Sequence, residues 1–201
     1  MNTVCLITPP SAFLMDDRVF VALGILKVAA SLEQNGYAVE HLDLCGVKNY
    51  TEAVADHASR SRATAFGITA TTPQMPAVAQ IVPVIRKVRM DPRVILGGTH
   101  VTLTHAAARL ENKKGFGGRG VRALSELMRM FDVLVTGDGE YAVLEALARD
   151  APKLVDGDNP NTPLFLTNKR LEESPWPARH LVDMDSYHYT IDGERATSLI
   201  A

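Results

Sequence analysis

The sequence predicts an α/β fold built on a doubly wound, five-stranded parallel sheet. Short apolar runs alternate five times with longer segments that have helical periodicity. The apolar runs are hydrophobic on both faces, which is typical of parallel strands covered by helices on two sides. Right-handed crossovers then favour a flavodoxin-like strand order within a Rossmann-like fold, and ligands of such folds bind outside the carboxyl ends of the strands.

Each element follows from a local pattern. Apolar runs bounded by proline, glycine or polar residues predict strands at residues 3–8, 37–44, 64–69, 93–98 and 132–137. Helical periodicity predicts helices at residues 20–35, 51–59, 74–88, 101–111, 121–130 and 140–150. Gly36 lies directly after the first helix, where a glycine typically ends a helix.

After residue 150 the composition changes. Residues 151–201 are rich in proline and have no helical period, which predicts an extended connector after a domain formed by residues 1–150. Trp176, between Pro175 and Pro177, is expected to pack against that domain. The last residues, ATSLIA, resemble the beginning of a further strand.

Composition and charge argue against several classes of partner. The formal net charge is -2, and no basic run is longer than Lys113 and Lys114, so nucleic acid is not expected as a partner. No stretch approaches the roughly 20 apolar residues of a membrane span, and the N-terminus lacks the pattern of a signal peptide. The two cysteines, Cys5 and Cys45, predict reduced buried thiols in a cytoplasmic protein, and no metal site is expected from them.

Small and hydroxyl-bearing residues gather where the predicted strands end. Singly, each group reads as a turn or a helix cap, but four such groups at one edge of a sheet favour a bulky ligand that approaches the backbone. The candidate ligand-binding residues are Pro9, Pro10, Ser11, Thr69, Thr71, Thr72, Gln74, Gly97, Gly98, Thr99, His100, Gly137, Asp138, Gly139 and Glu140.

The ordered set of motifs is similar to a known family. The runs TPPS, GITATTPQ, ILGGTH and VTGDGE, followed by the tail SPWPARHLVDMDSYHY, resemble the N-terminal half of cobalamin-dependent radical S-adenosylmethionine enzymes. Each motif is weak alone, whereas their order over nearly the whole chain is specific. The segment between GGTH and FDVLV, which carries GFGGRG, is longer than the resemblance implies.

The resemblance implies a cobalamin-binding module of a methyltransferase. The loop from Thr69 to Gln74, with Gly97 and Gly98, would flank the corrin and its nucleotide tail, the turn at Gly137 would contact the tail, and the loop after the first strand would lie near the corrin face. The parent enzyme would also use S-adenosylmethionine and a 4Fe–4S cluster held by a barrel of the same parent chain. The cluster-binding cysteines would follow ATSLIA, so no catalytic residue is expected in this chain.

The state of the bound cobalt follows from a missing motif. Other cobalamin proteins supply a histidine through D-x-H-x-x-G, which this sequence lacks. We therefore expect cobalamin to be bound base-off, without a histidine on cobalt, although His100 could make a polar contact. We also expect Gly98→Leu to block retention of the cofactor while leaving the fold intact.

Two other functions remain open. The chain could be a stand-alone cobalamin-binding sensor or carrier, or a nucleotide- or flavin-binding domain of the same fold class. The run from Gly115 to Gly120 has the G-x-G-x-x-G spacing, but ENKK precedes it instead of a strand, which favours a surface loop. Pro9 and Pro10 remove amide donors from the loop after the first strand, which argues against a flavin phosphate site.

Overall fold

Six parallel strands among residues 2–197 form the central sheet. The structure, a computed structural model, describes residues 2–197. The strands are paired in the order β2-β1-β3-β4-β5-β6, and every pairing is parallel. The strands are β1 (Thr3–Thr8), β2 (Ala38–Asp43), β3 (Ala65–Thr69), β4 (Arg93–Gly97), β5 (Val133–Thr136) and β6 (Leu154–Asp156).

In the described part of the chain, seven α-helices accompany the sheet. They are α1 (Leu23–Gln34), α2 (Tyr50–Arg60), α3 (Met75–Val88), α4 (Thr99–Lys113), α5 (Arg119–Met130), α6 (Gly139–Ala146) and α7 (Asn168–Glu173). Helix α1 packs beside α6, α2 beside α3, and α4 beside α5. No helix among residues 2–197 is both long and apolar enough to cross a membrane.

The α/β class, the parallel sheet and the order of the first five strands are confirmed, but the count of five strands was wrong. The sixth strand, β6, pairs with β5 at Leu134, Val135 and Thr136. It lies after residue 150, in the segment predicted as an extended connector. Three residues are too short for a recognisable apolar run, and the strand exists because β5 offers it an unpaired edge.

Residues 178–187 of that segment pack on α1. The amide of Ala178 donates a hydrogen bond to the carbonyl of Leu26 (3.0 Å), and both Ala178 and Tyr187 are buried in the cluster that covers this helix. Trp176 does not pack against the domain as expected, because it is 82% exposed. A short hairpin of β7 (Thr190–Ile191) and β8 (Glu194–Arg195) follows, and residues 198–201 of the ATSLIA run lie outside the described residues.

Alternate strand residues face two different cores. Cys5 and Ile7 point toward α2 and α3, together with Phe66 and Leu96, and this side forms one continuous apolar cluster. Leu6 points to the other side, which is covered by α1 and α6. There the buried residues divide into two clusters, one around α1 and one around β5 and α6. The gap between these two clusters is a candidate ligand site.

Candidate functional site

A cleft of about 460 Å³ lies between the sheet and helices α1 and α6, and it reaches the carboxyl ends of the central strands. Its lining residues are Leu6, Gly24, Ile25, Val28, Gly67, Ile68, Thr69, Ala70, Thr71, Ile95, Gly97, Gly98, Thr99, Val135, Gly137, Asp138, Gly139, Glu140, Val143, Leu166 and Leu171. A cavity of this size suits a small molecule or one arm of a larger ligand.

The cleft exists because the central strand lacks a side chain at its middle. Gly67 of β3 pairs with Leu6 on one side and with Ile95 on the other. Leu6 belongs to the α1 cluster and Ile95 to the β5 cluster, so the core is interrupted where Gly67 lies between them. A Cβ atom at Gly67 would come within 2.8 Å of the Leu6 side chain.

A second glycine keeps the helical wall of the cleft open. Gly24 lies in the first turn of α1, and a Cβ atom built there would meet no atom within 4 Å. Ile25 and Val28, on the same wall, are apolar. At the edge of the sheet, a Cβ atom at Gly97 would lie 3.8 Å from Val135, an ordinary contact distance. These glycines give a ligand access to the backbone of both walls.

Nine of the fifteen residues predicted from sequence line this cleft. They are Thr69, Thr71, Gly97, Gly98, Thr99, Gly137, Asp138, Gly139 and Glu140. The other six are not among its lining residues; they are Pro9, Pro10, Ser11, Thr72, Gln74 and His100. Direct contact of any of the fifteen with a cofactor remains a prediction.

Hydrogen bonds join three of the strand-end loops. The side-chain amide of Gln74 donates to the carbonyl of Pro9 (2.7 Å), and its oxygen accepts from the amide of Thr71 (2.9 Å). The hydroxyl of Thr72 lies 3.0 Å from Nδ1 of His100. Gln74, Thr72 and His100 therefore hold the loops after β1, β3 and β4 together.

Gly98 has a structural role that the sequence did not reveal. Its φ angle is +94°, a conformation that favours glycine. A Cβ atom there would lie 2.8 Å from the backbone nitrogen of Ala70 and 2.8 Å from the hydroxyl oxygen of Thr69. Gly98→Leu would therefore disturb the contact between the β3 and β4 loops, and the expectation that this variant leaves the fold intact is wrong.

The carboxyl groups of Asp138 and Glu140, in the residues that follow β5, lie at one end of the cleft. Burial raises the pKa of Glu140, and nearby Asp138 raises it further, whereas Lys27 acts in the opposite direction. Burial also raises the pKa of Asp138, with a smaller effect from Asp158. Both groups would gain from hydrogen-bond donors on a ligand, because such donors replace the water lost on burial.

The glycine run at Gly115–Gly120 does not form a nucleotide site. The carboxylate of Glu111, in α4, accepts hydrogen bonds from the amides of Gly118 (3.1 Å), Gly120 (3.0 Å) and Val121 (2.9 Å) at the beginning of α5. These bonds lower the pKa of Glu111, the bond from Val121 most strongly. Gly120 lies against the backbone of Ala107 and Ala108, so the run serves the packing of two helices.

One group of side chains among residues 2–197 could hold a metal ion. Ligand atoms of Cys5, Glu40 and His57 lie within 4.8 Å of one another, on the opposite side of the sheet from the cleft. His57 Nε2 lies 2.9 Å from Oε2 of Glu40, within hydrogen-bond distance. Cys5 is fully buried, and burial raises its pKa well above the usual range, which is typical of a core thiol that lies beside a pair of polar side chains.

The residues of the inner half of the cleft were not predicted from the sequence. The apolar wall residues carry no polar signal, because they look like any other core residue. Two glycines could have been recognised: Gly67 interrupts a strand pattern, and Gly24 lies within a helical pattern, which both suggest close backbone approach. Leu166 and Leu171 lie in the segment predicted as connector and carried no signal at all.

No curated protein matches the sequence closely enough to count as a relative. Two solved structures of the radical S-adenosylmethionine methyltransferase TsrM from Kitasatospora setae are similar. One has tryptophan substrate and the S-adenosylmethionine analogue aza-SAM bound, and the other has cobalamin and a 4Fe–4S cluster bound.

Each TsrM structure is 20% identical to this chain, with a TM-score of 0.44 over 63% of it. The chain spans about a quarter of the length of TsrM, 25% and 24% in the two structures. A family model described as "B12 binding domain" matches residues 18–128, which is more than half of the 201 residues. The match includes β2 to β4 and the glycines at positions 24, 67, 97 and 98 of the cleft. The chain therefore belongs to the B12 binding domain family.

Proposed function

We propose that the chain binds cobalamin, with the nucleotide tail of the cofactor in the cleft between the sheet and helices α1 and α6. The observation that carries this proposal is the interruption of the core at Gly67, which leaves about 460 Å³ between two apolar clusters. A gap of this kind costs stability in a protein without a ligand, and a bound group that fills it recovers the lost contacts.

The chemistry of the cleft fits the parts of the tail. The inner wall is apolar, with Ile25, Val28 and Val143, and it suits a flat aromatic base. The outer rim has the hydroxyl groups of Thr69 and Thr71 and the backbone at Gly97, which suit a ribose and a phosphate. The corrin ring would lie over the strand ends.

We propose that bound cobalamin is base-off and has no histidine on cobalt. A base held in the cleft cannot also ligate cobalt on the lower face of the corrin. No histidine occurs among the cleft-lining residues in the described part of the chain, and Nδ1 of His100 lies beside Thr72. Electron paramagnetic resonance of the Co(II) form tests this, because an axial nitrogen would split the cobalt signal.

The expected spectrum shows no splitting from an axial nitrogen. Splitting that persists in His100→Ala would mean that the base or another histidine ligates cobalt. Splitting that disappears in His100→Ala would identify His100 as the ligand. Either result would contradict the proposed coordination.

The wider role rests on the sequence resemblance. We propose that residues 1–150, together with strand β6, form the cobalamin-binding domain of a radical S-adenosylmethionine enzyme, of the methyltransferase type, and that the following segment leads to its cluster-bearing barrel. Cobalamin, when bound, would supply the cobalt chemistry of methyl transfer. Phe13 and Leu14, in the loop after β1, are exposed apolar side chains and suit contact with the corrin face or the barrel. The free buried thiols of Cys5 and Cys45 suit the cytoplasm.

Retention of the cofactor tests the main proposal. The purified chain is mixed with hydroxocobalamin, desalted, and examined by visible absorption, with flavin mononucleotide treated in the same way as a comparison. We expect corrin absorption to remain with the protein and flavin absorption to be lost. A folded sample that retains flavin but no corrin would favour a nucleotide-binding domain and refute the proposal.

A further inference from the structure

The segment of residues 163–175, which we call the strap, contributes two side chains to the cleft. Leu166 and Leu171 line it and are only half-buried. Leu164, two residues before Leu166, packs against the cluster around β5 and α6. Among residues 2–197, neither Leu166 nor Leu171 packs against any of the three apolar clusters. Their apolar surface is therefore available inside the cleft.

Polar contacts hold the strap at the helix α1 side of the cleft. Lys27 of α1 is 6% exposed, and its ammonium group donates hydrogen bonds to the hydroxyl of Ser174 and to the carbonyl of Pro175, the latter at 3.0 Å. A buried lysine is costly unless its donors are satisfied, so these bonds bind the strap firmly to α1.

A second set of contacts holds the strap at the α6 side. The guanidinium of Arg170 lies 4.9 Å from the ring centroid of Tyr141 on α6, within the range of a cation–π contact. The same guanidinium donates a hydrogen bond to the carbonyl of Pro163, which closes the strap on itself. The strap is thus fixed to both helices that form the cleft, and its leucines are held in position.

We propose that Leu166 and Leu171 contact the aromatic base of the nucleotide tail, so that the strap makes the chain selective for corrinoids that carry the tail. This inference rests on the proposed function. The base is the apolar part of the tail and fits between the strap leucines and the apolar wall at Ile25, Val28 and Val143. The amide-fringed corrin and the phosphate are too polar for this part of the cleft.

Selectivity follows from the position of these contacts. Cobinamide has the corrin ring but lacks the ribose, phosphate and base, so it cannot use the strap leucines. Cobalamin uses them fully. A change at the strap should therefore alter the affinity for cobalamin and leave the affinity for cobinamide unchanged.

The experiment measures the affinity of the full 201-residue chain for hydroxocobalamin and for cobinamide by absorbance titration. The variants are Leu166→Ala, Leu171→Ala and the double variant, and Leu110→Ala, whose side chain is 54% exposed on α4, is the matched control. We expect cobalamin binding to weaken about tenfold for each strap leucine, since truncation removes about half of a buried leucine's contact. Circular dichroism checks that each variant is folded.

Arg170→Gln gives an independent test, because it loosens the strap without changing an apolar lining residue. We expect it to weaken cobalamin binding as well, by less than the double variant. Equal losses for cobalamin and cobinamide, or no loss in the double variant, would overturn the inference while leaving cobalamin binding intact. Failure of the unmodified chain to bind either corrinoid would instead refute the proposed function, and the inference with it.

Discussion

A leucine at position 24 should weaken cobalamin binding and at the same time raise the stability of the protein. Gly24 lies in the first turn of α1, has no backbone strain, and offers open space to a side chain. Leucine adds four carbon atoms, and at about 30 Å³ for each water-sized group they would occupy about 120 Å³, about a quarter of the 460 Å³ cleft. Because Gly24 lines the cleft and a Cβ atom there meets no atom within 4 Å, we expect Gly24→Leu to reduce the free volume of the cleft without disturbing the unliganded protein.

The two expected effects have opposite signs. Leucine is a better helix former than glycine, so the free energy of unfolding should rise by up to about 1 kcal/mol. Overpacking of a filled site costs about 1–3 kcal/mol, which corresponds to a loss of cobalamin affinity between about fivefold and about 150-fold. A variant that binds weakly because it is misfolded would have a lower free energy of unfolding. Weaker binding together with a higher free energy of unfolding therefore indicates a blocked site.

Urea unfolding and absorbance titration with hydroxocobalamin measure the two quantities. Gly24→Ala should bind almost normally, because one added carbon leaves most of the cleft free. Gly117→Leu is the matched control, since a Cβ atom at Gly117 also meets nothing within 4 Å but lies outside the cleft. Cobalamin affinity in Gly24→Leu equal to that of the unmodified chain would refute the placement of the ligand.

Three further predictions concern other parts of the chain. Glu111→Gln should lower Tm at pH 7. Because the α5 amides lower the pKa of Glu111 from 4.5, the difference in Tm between the variant and the unmodified chain should shrink as pH falls below about 4.5. Glu126→Gln is its control, and a pH-independent difference would contradict the assignment. Tyr187→Phe removes the hydrogen bond to Asp43 (2.7 Å) and should cost about 1–3 kcal/mol in urea unfolding, whereas Tyr189→Phe should cost little. An equal loss in both would show that the Asp43 bond is unimportant. The chain should not cleave S-adenosylmethionine under reducing conditions, because its two cysteines are both buried thiols; 5′-deoxyadenosine above the buffer level would disprove this.

Much of the fold could be predicted because its signals are local. Strand β1 was predicted at residues 3–8 and is observed at Thr3–Thr8, since Pro9 and Pro10 end it in the sequence itself. Gly36 adopts the positive φ of +81° that ends α1. Strand β6 could not be predicted in this way, because its three residues become a strand only through pairing with β5.

The residues at the outer rim of the cleft could also be predicted from the sequence, whereas the residues of its inner walls could not. Glycines and threonines at strand ends mark the rim because parallel strands bring their carboxyl ends to one edge. The floor depends on register, because Gly67 opens a cleft only when Leu6 and Ile95 lie beside it. Gly98 lines the cleft, and its close approach to Ala70 gives it a structural role that the sequence did not reveal.

By itself, the sequence determined the α/β class, the order of the first five strands, and the edge of the sheet at which the cleft opens. These properties follow from periodicity and from turn residues, which act over a few neighbouring positions. Only the tertiary structure decided the depth of the cleft, the sixth strand, and the strap that places Leu166 and Leu171 beside helices α1 and α6. Those features arise from contacts between residues far apart in the chain, and the physical reason is that packing, not local propensity, determines which apolar side chains meet and where they leave a gap.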